Sequence, residues 1–161
     1  MFYEGYYLGC VKCMLEFKLV EKEQNFDKGH SIEEFVNFLH KYLEEYRDSK
    51  KDVKEAVDYA LSKSVGKGGF LLEAFDDEQL IGGVVVDETG MSGYMPKHVL
   101  IYIAIHEEYR RQEIGRRLLE LTIKLCDGDV SLLVEYENPA VTLFERVGFT
   151  SKYAEMRFEK G

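Results

Sequence analysis

The twelve residues YRRQEIGRRLLE, Tyr109 to Glu120, carry the densest chemistry in this sequence. They follow an apolar run, HVLIYIAIH, and lead into a stripe of Ile114, Leu118, Leu121 and Leu125. That spacing predicts a strand, a tight turn and a helix. The first amides of a helix have no acceptor inside it, and the helix dipole adds partial positive charge at that end. Arg110, Arg111, Arg116 and Arg117 bring further positive charge. Such an arrangement suits an anion, above all a pyrophosphate. A plainer reading stays open, in which Gly115 serves close packing and the arginines are solvated. The pattern is neither G-x-G-x-x-G nor G-x-x-x-x-G-K-[ST], so dinucleotide and nucleoside-triphosphate folds fit poorly.

Glu113 is the anomaly, a carboxylate where such turns commonly carry glycine. If phosphates are held by main-chain N–H groups, its side chain need not face them. An exposed glutamate near a helix N-terminus is itself favoured, by roughly 0.3–1 kcal/mol. The residue is tolerable provided that its backbone angles suit an L-residue.

The chain has 161 residues, which suits one domain around one core. Apolar residues make up 45 % and charged residues 32 %, an ordinary soluble balance. No stretch approaches the ~18 apolar residues of a membrane span. The opening MFYEGYYLGC has neither a basic start nor an apolar block, so no signal peptide is read there and a cytoplasmic protein is expected. The net charge of -9 argues against general nucleic-acid binding and favours approach of a cationic substrate, though it serves solubility equally well. Cys10, Cys13 and Cys126 are an odd count with no second pair, so neither a disulfide scaffold nor a metal site is expected.

The elements that must position the turn follow from periodicity. MLEFKLVE, from Met14, reads as a strand, which leaves residues 1–13 as an aromatic extension ahead of a single domain, 14–161. That extension could cover a groove, serve a homodimer or be dispensable. SIEEFVNFLHKYLEEY is an amphipathic helix with a Ser31–Glu34 capping box. A second helix, carrying Val53, Val57 and Ala60, is expected to end at Gly66. Phe70–Phe75 and Leu80–Val86 read as a hairpin, and HVLIYIAIH as a strand buried on both faces. VSLLVEY reads as another buried strand, ENPAVTLFERVGF as a short helix capped by Asn138 with Pro139 at its first position, and YAEMRFEK as a closing strand. The expected order is β-α-α-β-β-β-α-β-α-β, an α/β chain of the mixed-sheet α+β kind with about four helices.

The pair YRRQEIGRRLL and ENPAVTLFERVGF resembles the GNAT superfamily of acyl-CoA-dependent N-acetyltransferases. The family's cofactor turn reads R/Q-x-x-G-x-G/A, against Arg110 to Gly115 here. Its later motif is similar to D/N-N-P-A-x-x-L-Y-E-x-x-G-F, against residues 137–149. The resemblance covers roughly residues 14–159 and implies a GNAT-like fold that binds acetyl-CoA or coenzyme A. It implies that main-chain groups of Ile103, Ala104 and Ile105 meet the pantetheine arm between two splayed strands. Amides of Gln112, Glu113, Ile114, Gly115 and Arg116 would hold the pyrophosphate, with Arg110 and Arg111 beside them. Asn138 and Phe144 would line the thiol end, and the Ile105 N–H would hold the oxyanion.

Amide formation needs a neutral amine, and a lysine-like amine has a pKa near ~10.4. Three positions carry proton transfer in various relatives, and all are apolar here: Val99, Leu132 or Leu133, and Phe144. Among polar residues near the expected cleft (Tyr94, His98, Tyr102, Glu135 and Tyr136), Glu135 and His98 rank first as bases. The acceptor implied is an amine of a small molecule or peptide. The rival readings are an acyl-CoA sensor without catalysis and an unrelated α/β protein without a cofactor.

Overall fold

The computed structural model describes residues 15–26 and 29–160. The extension 1–13, with Cys10 and Cys13, lies outside the described residues. The strands are β1 (Leu15–Val20), β2 (Gly69–Asp76), β3 (Gln79–Glu88), β4 (His98–Ile105) and β5 (Val130–Leu132). The helices are α1 (Ile32–Tyr42), α2 (Lys50–Ala60), α3 (Ile114–Leu125) and α4 (Ala140–Arg146). The strands form one sheet in the order β1-β2-β3-β4-β5, antiparallel except for the parallel pair β4–β5. This is a mixed five-stranded sheet with four helices.

Local chemistry sets the helix ends. Ser31 Oγ accepts from the Glu34 amide at 3.3 Å and starts α1. Ser49 does the same for the Asp52 amide at 3.2 Å and starts α2. The α2 helix stops at Ala60 and not at Gly66. There Ser62 Oγ accepts from the Ser64 amide at 3.2 Å, and this local bond competes with a further helical turn. Gly66 lies in the turn beyond it, at φ +81.

The alternating strands divide the apolar residues between two faces. On one, Leu71, Val85, Tyr102 and Ala104 pack against Phe35, Leu39, Val53 and Val57 of α1 and α2. On the other, Leu72, Val84, Val86 and Leu100 pack against Ile114, Leu118 and Leu119 of α3 and Phe144 of α4. Burying one such Leu or Phe stabilises the fold by roughly 1.5–3 kcal/mol.

Two details of β4 bear on function. Its register against β3 shifts between Val85↔Tyr102 and Val86↔Leu100, so Ile101 is an extra residue. Such a bulge exchanges the faces on either side of it. Leu100 faces α3 while Tyr102 faces α1 and α2. Secondly, β4 is not buried on both faces as its composition suggests: Val99, Ile101, Ile103 and Ile105 are only half-buried.

The sheet beyond β4 is shorter than expected. β5 stops at Leu132, and Leu133 is 66 % exposed, so VSLLVEY is neither a full strand nor buried. The chain turns away instead, closing a bond from the Asn138 amide to the Glu135 carbonyl at 3.0 Å. YAEMRFEK forms no strand; Tyr153, Met156 and Phe158 are all exposed. β5 presents only three residues to pair with, too short a ladder to hold a further strand. The closing strand of the expected order is therefore absent among the described residues, and with it the strand–helix–strand unit that it would have completed around α4.

Candidate functional site

Pairing between β4 and β5 runs from His98↔Val130 to Leu100↔Leu132 and ends there. From Ile101 onward the β5-side edge of β4 has no strand beside it among the described residues. The His106 amide bonds to the Ile81 carbonyl at 2.8 Å and so faces β3. Alternation along the strand then turns the main-chain groups of Ile105 and Ile103 toward the open edge. Ala104 is different: its main chain faces β3 and its side chain is buried against α1 and α2, so it offers the gap nothing.

The chain reaches α3 through a 3-10 turn, Glu107–Tyr109, pinned by aromatic and polar contacts. The His106 ring lies 4.6 Å from Tyr42 and 5.7 Å from Tyr109. Tyr109 donates to Asp76 Oδ2 at 2.8 Å. Arg110 belongs to this scaffold. Its guanidinium donates to the Ile105 carbonyl (3.2 Å), Glu44 (2.8 Å) and the Tyr42 carbonyl (3.1 Å). It therefore points back into the protein and adds little charge to the turn.

Beyond Arg110 comes a run of free donors. Arg117 N–H bonds to the Glu113 carbonyl at 3.0 Å and begins the helical ladder. Among the described residues, no acceptor meets the amides of residues 111 to 116. Ile114, 2 % exposed, anchors the run in the core. Arg116 bonds to Glu120 at 2.8 Å and Glu113 at 3.4 Å, and Arg117 lies over the Phe17 ring at 6.0 Å. Among the described residues neither Arg111 nor Arg117 makes an ion pair, and Arg117 is drawn over Phe17, so of the four arginines Arg111 is the most available to an anion.

Glu113 does not meet its proviso. It caps α3 at φ +64, ψ 2, and Arg111 has φ +61, so two non-glycine residues hold the left-handed conformation. Each costs roughly 1–2 kcal/mol, a strain typical of functional turns. Glu113→Gly removes that strain and sacrifices only an exposed ion pair and a favourable dipole contact. We expect Tm to rise by about 2–4 °C and coenzyme A affinity to stay level or improve. Thermal melts and calorimetry check both; a large loss of affinity would show that the carboxylate contributes to binding.

Gly115 is a close-approach glycine. A Cβ there would lie 3.1 Å from Leu143 Cδ2 and 3.7 Å from Ile105 Cγ1, between the end of β4 and α4. The close-packing reading of this residue thus stands beside the ligand reading. Asn138 Oδ1 accepts from the Ala140 amide at 2.9 Å, but Pro139 takes the cap position and Ala140 the first helical one, so the expected start is shifted by one residue; the Asn138 side-chain NH₂ remains a donor. Phe144 is 6 % exposed and packs edge-to-face on Phe149 at 5.9 Å.

The two favoured bases fare differently. His98 is 3 % exposed on the α3 face, and its Nε2 is bound to Asp127 at 2.9 Å. Its buried Nδ1 has no partner. A ring so enclosed cannot exchange protons with a substrate in the gap, which is a physical argument against His98 as the base. Asp127, held by Lys97 first and His98 second, has its carboxyl pulled down to about 2. Glu135 is exposed in the loop after β5, beside Tyr46, whose hydroxyl meets the Glu137 carbonyl at 3.5 Å.

The sequence offered less notice of the polar groups on the α1/α2 face. Tyr102 donates to Asp48 Oδ2 at 2.5 Å; burial and that contact push its phenol well above the usual range. Asp87 closes the run VVVD on β3, the one polar residue in that stretch, and its Oδ1 is buried without a partner. Burial alone pushes its carboxyl up to about 7.

Residues 32–149 match the family model described as "Acetyltransferase (GNAT) family". A comparison with curated protein sequences gave no match. Among solved structures, the chain is similar to a possible acetyltransferase from Clostridium difficile 630, with TM-score 0.64, 16 % identity, and 91 % of this chain and 97 % of that one covered. It is also similar to the aminoglycoside N-acetyltransferase AAC(6')-Iy in complex with CoA, with TM-score 0.66, 13 % identity and coverage of 95 % and 99 %. A third likeness is to the ribosomal-protein-alanine N-acetyltransferase of Brucella melitensis biovar Abortus 2308, with TM-score 0.63, 13 % identity and coverage of 91 % and 99 %. At these identities the likeness is one of fold.

Proposed function

The chain belongs to the acetyltransferase (GNAT) family, and from that premise we propose that it is an N-acetyltransferase, moving the acetyl group of acetyl-CoA onto an amine of a small molecule or peptide by direct attack. The observation that carries this reading is the run of amides at residues 111 to 116 with no acceptor among the described residues, next to the unzipped edge of β4. A pyrophosphate needs several converging donors, and a helix N-terminus with free N–H groups supplies them. The residues present fit the group. Gln112 to Arg116 would hold the diphosphate through main-chain N–H groups, with Arg111 beside them. Ile103 and the Ile105 N–H, its carbonyl being taken by Arg110, would hold the pantetheine arm as an added strand does. The Asn138 side-chain NH₂ would donate near the thiol end.

Acetyl-CoA supplies an activated acyl group with a thiol leaving group. The protein's part is to place an amine against it, and positioning alone removes a large entropic cost. Exposed carboxylates of Glu135 and Glu137 near Tyr46, and of Asp48 and Asp52 near Tyr102, suit a cationic amine. Thiol release from acetyl-CoA with polyamines, amino acids and basic peptides as acceptors tests the proposal, and turnover of at least one is expected. Tight binding of acetyl-CoA without turnover of any acceptor would favour the sensor reading. That reading draws on Glu113 in the cofactor turn and on Phe144, a buried phenyl group with no proton to give.

A further inference from the structure

We propose that Asp87 is the general base for this chain's reaction, receiving the acceptor ammonium and taking its proton on the α1/α2 face of the sheet. The inference rests on the N-acetyltransferase reading and goes beyond it by naming the group that neutralises the amine.

The geometry begins with a row across the sheet. Gly69, Asp87, Val99 and Ser131 are successive register partners on β2, β3, β4 and β5. Directly opposed residues share a face. Asp87 has the parity of Val85, which packs on α1 and α2, so the row points to that face. Its neighbours in the row are a glycine and a half-buried valine, neither of which can engage a carboxylate. Two residues further along β4, about 7 Å, the bulge at Ile101 begins the stretch whose far edge is open. For Asp87 to act, the amine must sit over Val99 and Ile101 and meet the acetyl group where the open edge begins, and not at the Ile105 amide, six residues along β4 from Val99.

Asp87 is also idle. No hydrogen bond or ion pair engages it among the described residues, and its Oδ1 is buried without a partner. A buried acceptor oxygen with nothing to bind costs stability and demands an explanation. A substrate ammonium would satisfy it. The ionisable groups nearby are Tyr102 on β4, with Asp48 and Asp52 acting on that phenol from the start of α2. No described lysine or arginine offsets the burial of Asp87, whose carboxyl is pushed up to about 7. A base of that strength lies closer to an amine than an ordinary carboxylate and is still ionised at slightly alkaline pH.

The proton balance is simple. The R–NH₃⁺ group gives one proton to the Asp87 carboxylate, leaving R–NH₂. The nitrogen lone pair forms the C–N bond to the acetyl carbon as the C–S bond breaks. The thiolate takes the second nitrogen proton, directly or through water, and Asp87 returns its own to solvent.

The test compares wild type, Asp87→Asn and Asp87→Glu with an acceptor found by the amine panel. Asp87→Asn should lower kcat/KM by about 10²–10⁴-fold and abolish the acid limb of its pH profile. Its coenzyme A affinity by calorimetry should stay within twofold of wild type. Asp87→Glu should restore part of the rate and the limb. Turnover by Asp87→Asn within threefold of wild type, with the acid limb intact, would overturn the inference alone. No turnover of any amine by wild type that binds acetyl-CoA would overturn the enzyme reading and this inference together.

Discussion

Gly115→Glu should weaken coenzyme A binding by about 100-fold or more, while Gly115→Ala should leave it within tenfold. A Cβ at 115 points between Leu143 and Ile105, one residue from each wall of the gap, and not out to solvent. A glutamate there fills the entrance and brings a carboxylate beside the position of the phosphates. At about 5 Å and an effective dielectric near 20, one such charge pair costs roughly 3 kcal/mol, or about a hundredfold. The alanine control separates this from packing. Its methyl must displace the far end of Leu143, which lies 3.1 Å away, by a few tenths of an ångström. That cost is offset by the ~1 kcal/mol that alanine gains over glycine in a helix. Calorimetry on both variants, with thermal melts to confirm folding, reads the difference. Equal affinities for the two would remove the gap as the cofactor's path.

The second large effect concerns pH. Glu73 on β2 is 1 % exposed, its Oε1 has no partner, and burial pushes its carboxyl up to about 7. Lys18 opposes this shift and Glu34 adds to it, but burial dominates. Asp87 is shifted in the same direction, also to about 7. Both folded-state values lie above the ordinary ones. The folded chain therefore holds protons that the unfolded chain has already released, and stability falls as pH rises. The contribution is complete near pH 4, declines through pH 5 and 6, and is gone once pH passes about 7. Asp127 acts in the opposite sense, but its loss comes only as pH falls toward about 2, outside this window. Urea melts at pH 5 and pH 8 should differ by roughly 3–5 kcal/mol in favour of pH 5, the upper figure being two carboxyls each losing about two pH units and the lower allowing for the partial exposure of Asp87. Glu73→Gln should remove roughly half of that difference, because an amide has no charge to bury. Stability that rises from pH 5 to pH 8 would contradict the burial argument for both carboxyls.

Much of the architecture was legible because periodicity and caps are local. The α1 stripe, the Ser31 cap, the β2–β3 hairpin and the strand–turn–helix around Gly115 all follow from spacings within a few residues. The motif at 137–149 was enough to put Asn138 at the start of α4, although Pro139 takes the cap position itself. What escaped is what depends on distant partners. Nothing in HVLIYIAIH marks Ile101 as a bulge; the extra residue exists only relative to β3. VSLLVEY and YAEMRFEK have strand composition but lack enough ladder to pair with. Arg110 reads as a phosphate ligand in sequence, yet Glu44 and two carbonyls of the folded chain claim its guanidinium. Ser49-x-x-Asp52 is a readable cap signal, whereas the burial of His98 against Asp127 depends on a contact 29 residues away in the chain.

The most direct measurement is an amide ¹⁵N–¹H NMR titration of the protein with coenzyme A. The amides of residues 111 to 116, which meet no acceptor among the described residues, should show the largest shifts, followed by those of Ile103 and Ile105. Saturable binding that leaves 111–116 unmoved and shifts amides elsewhere, or no shift at all, would contradict the account.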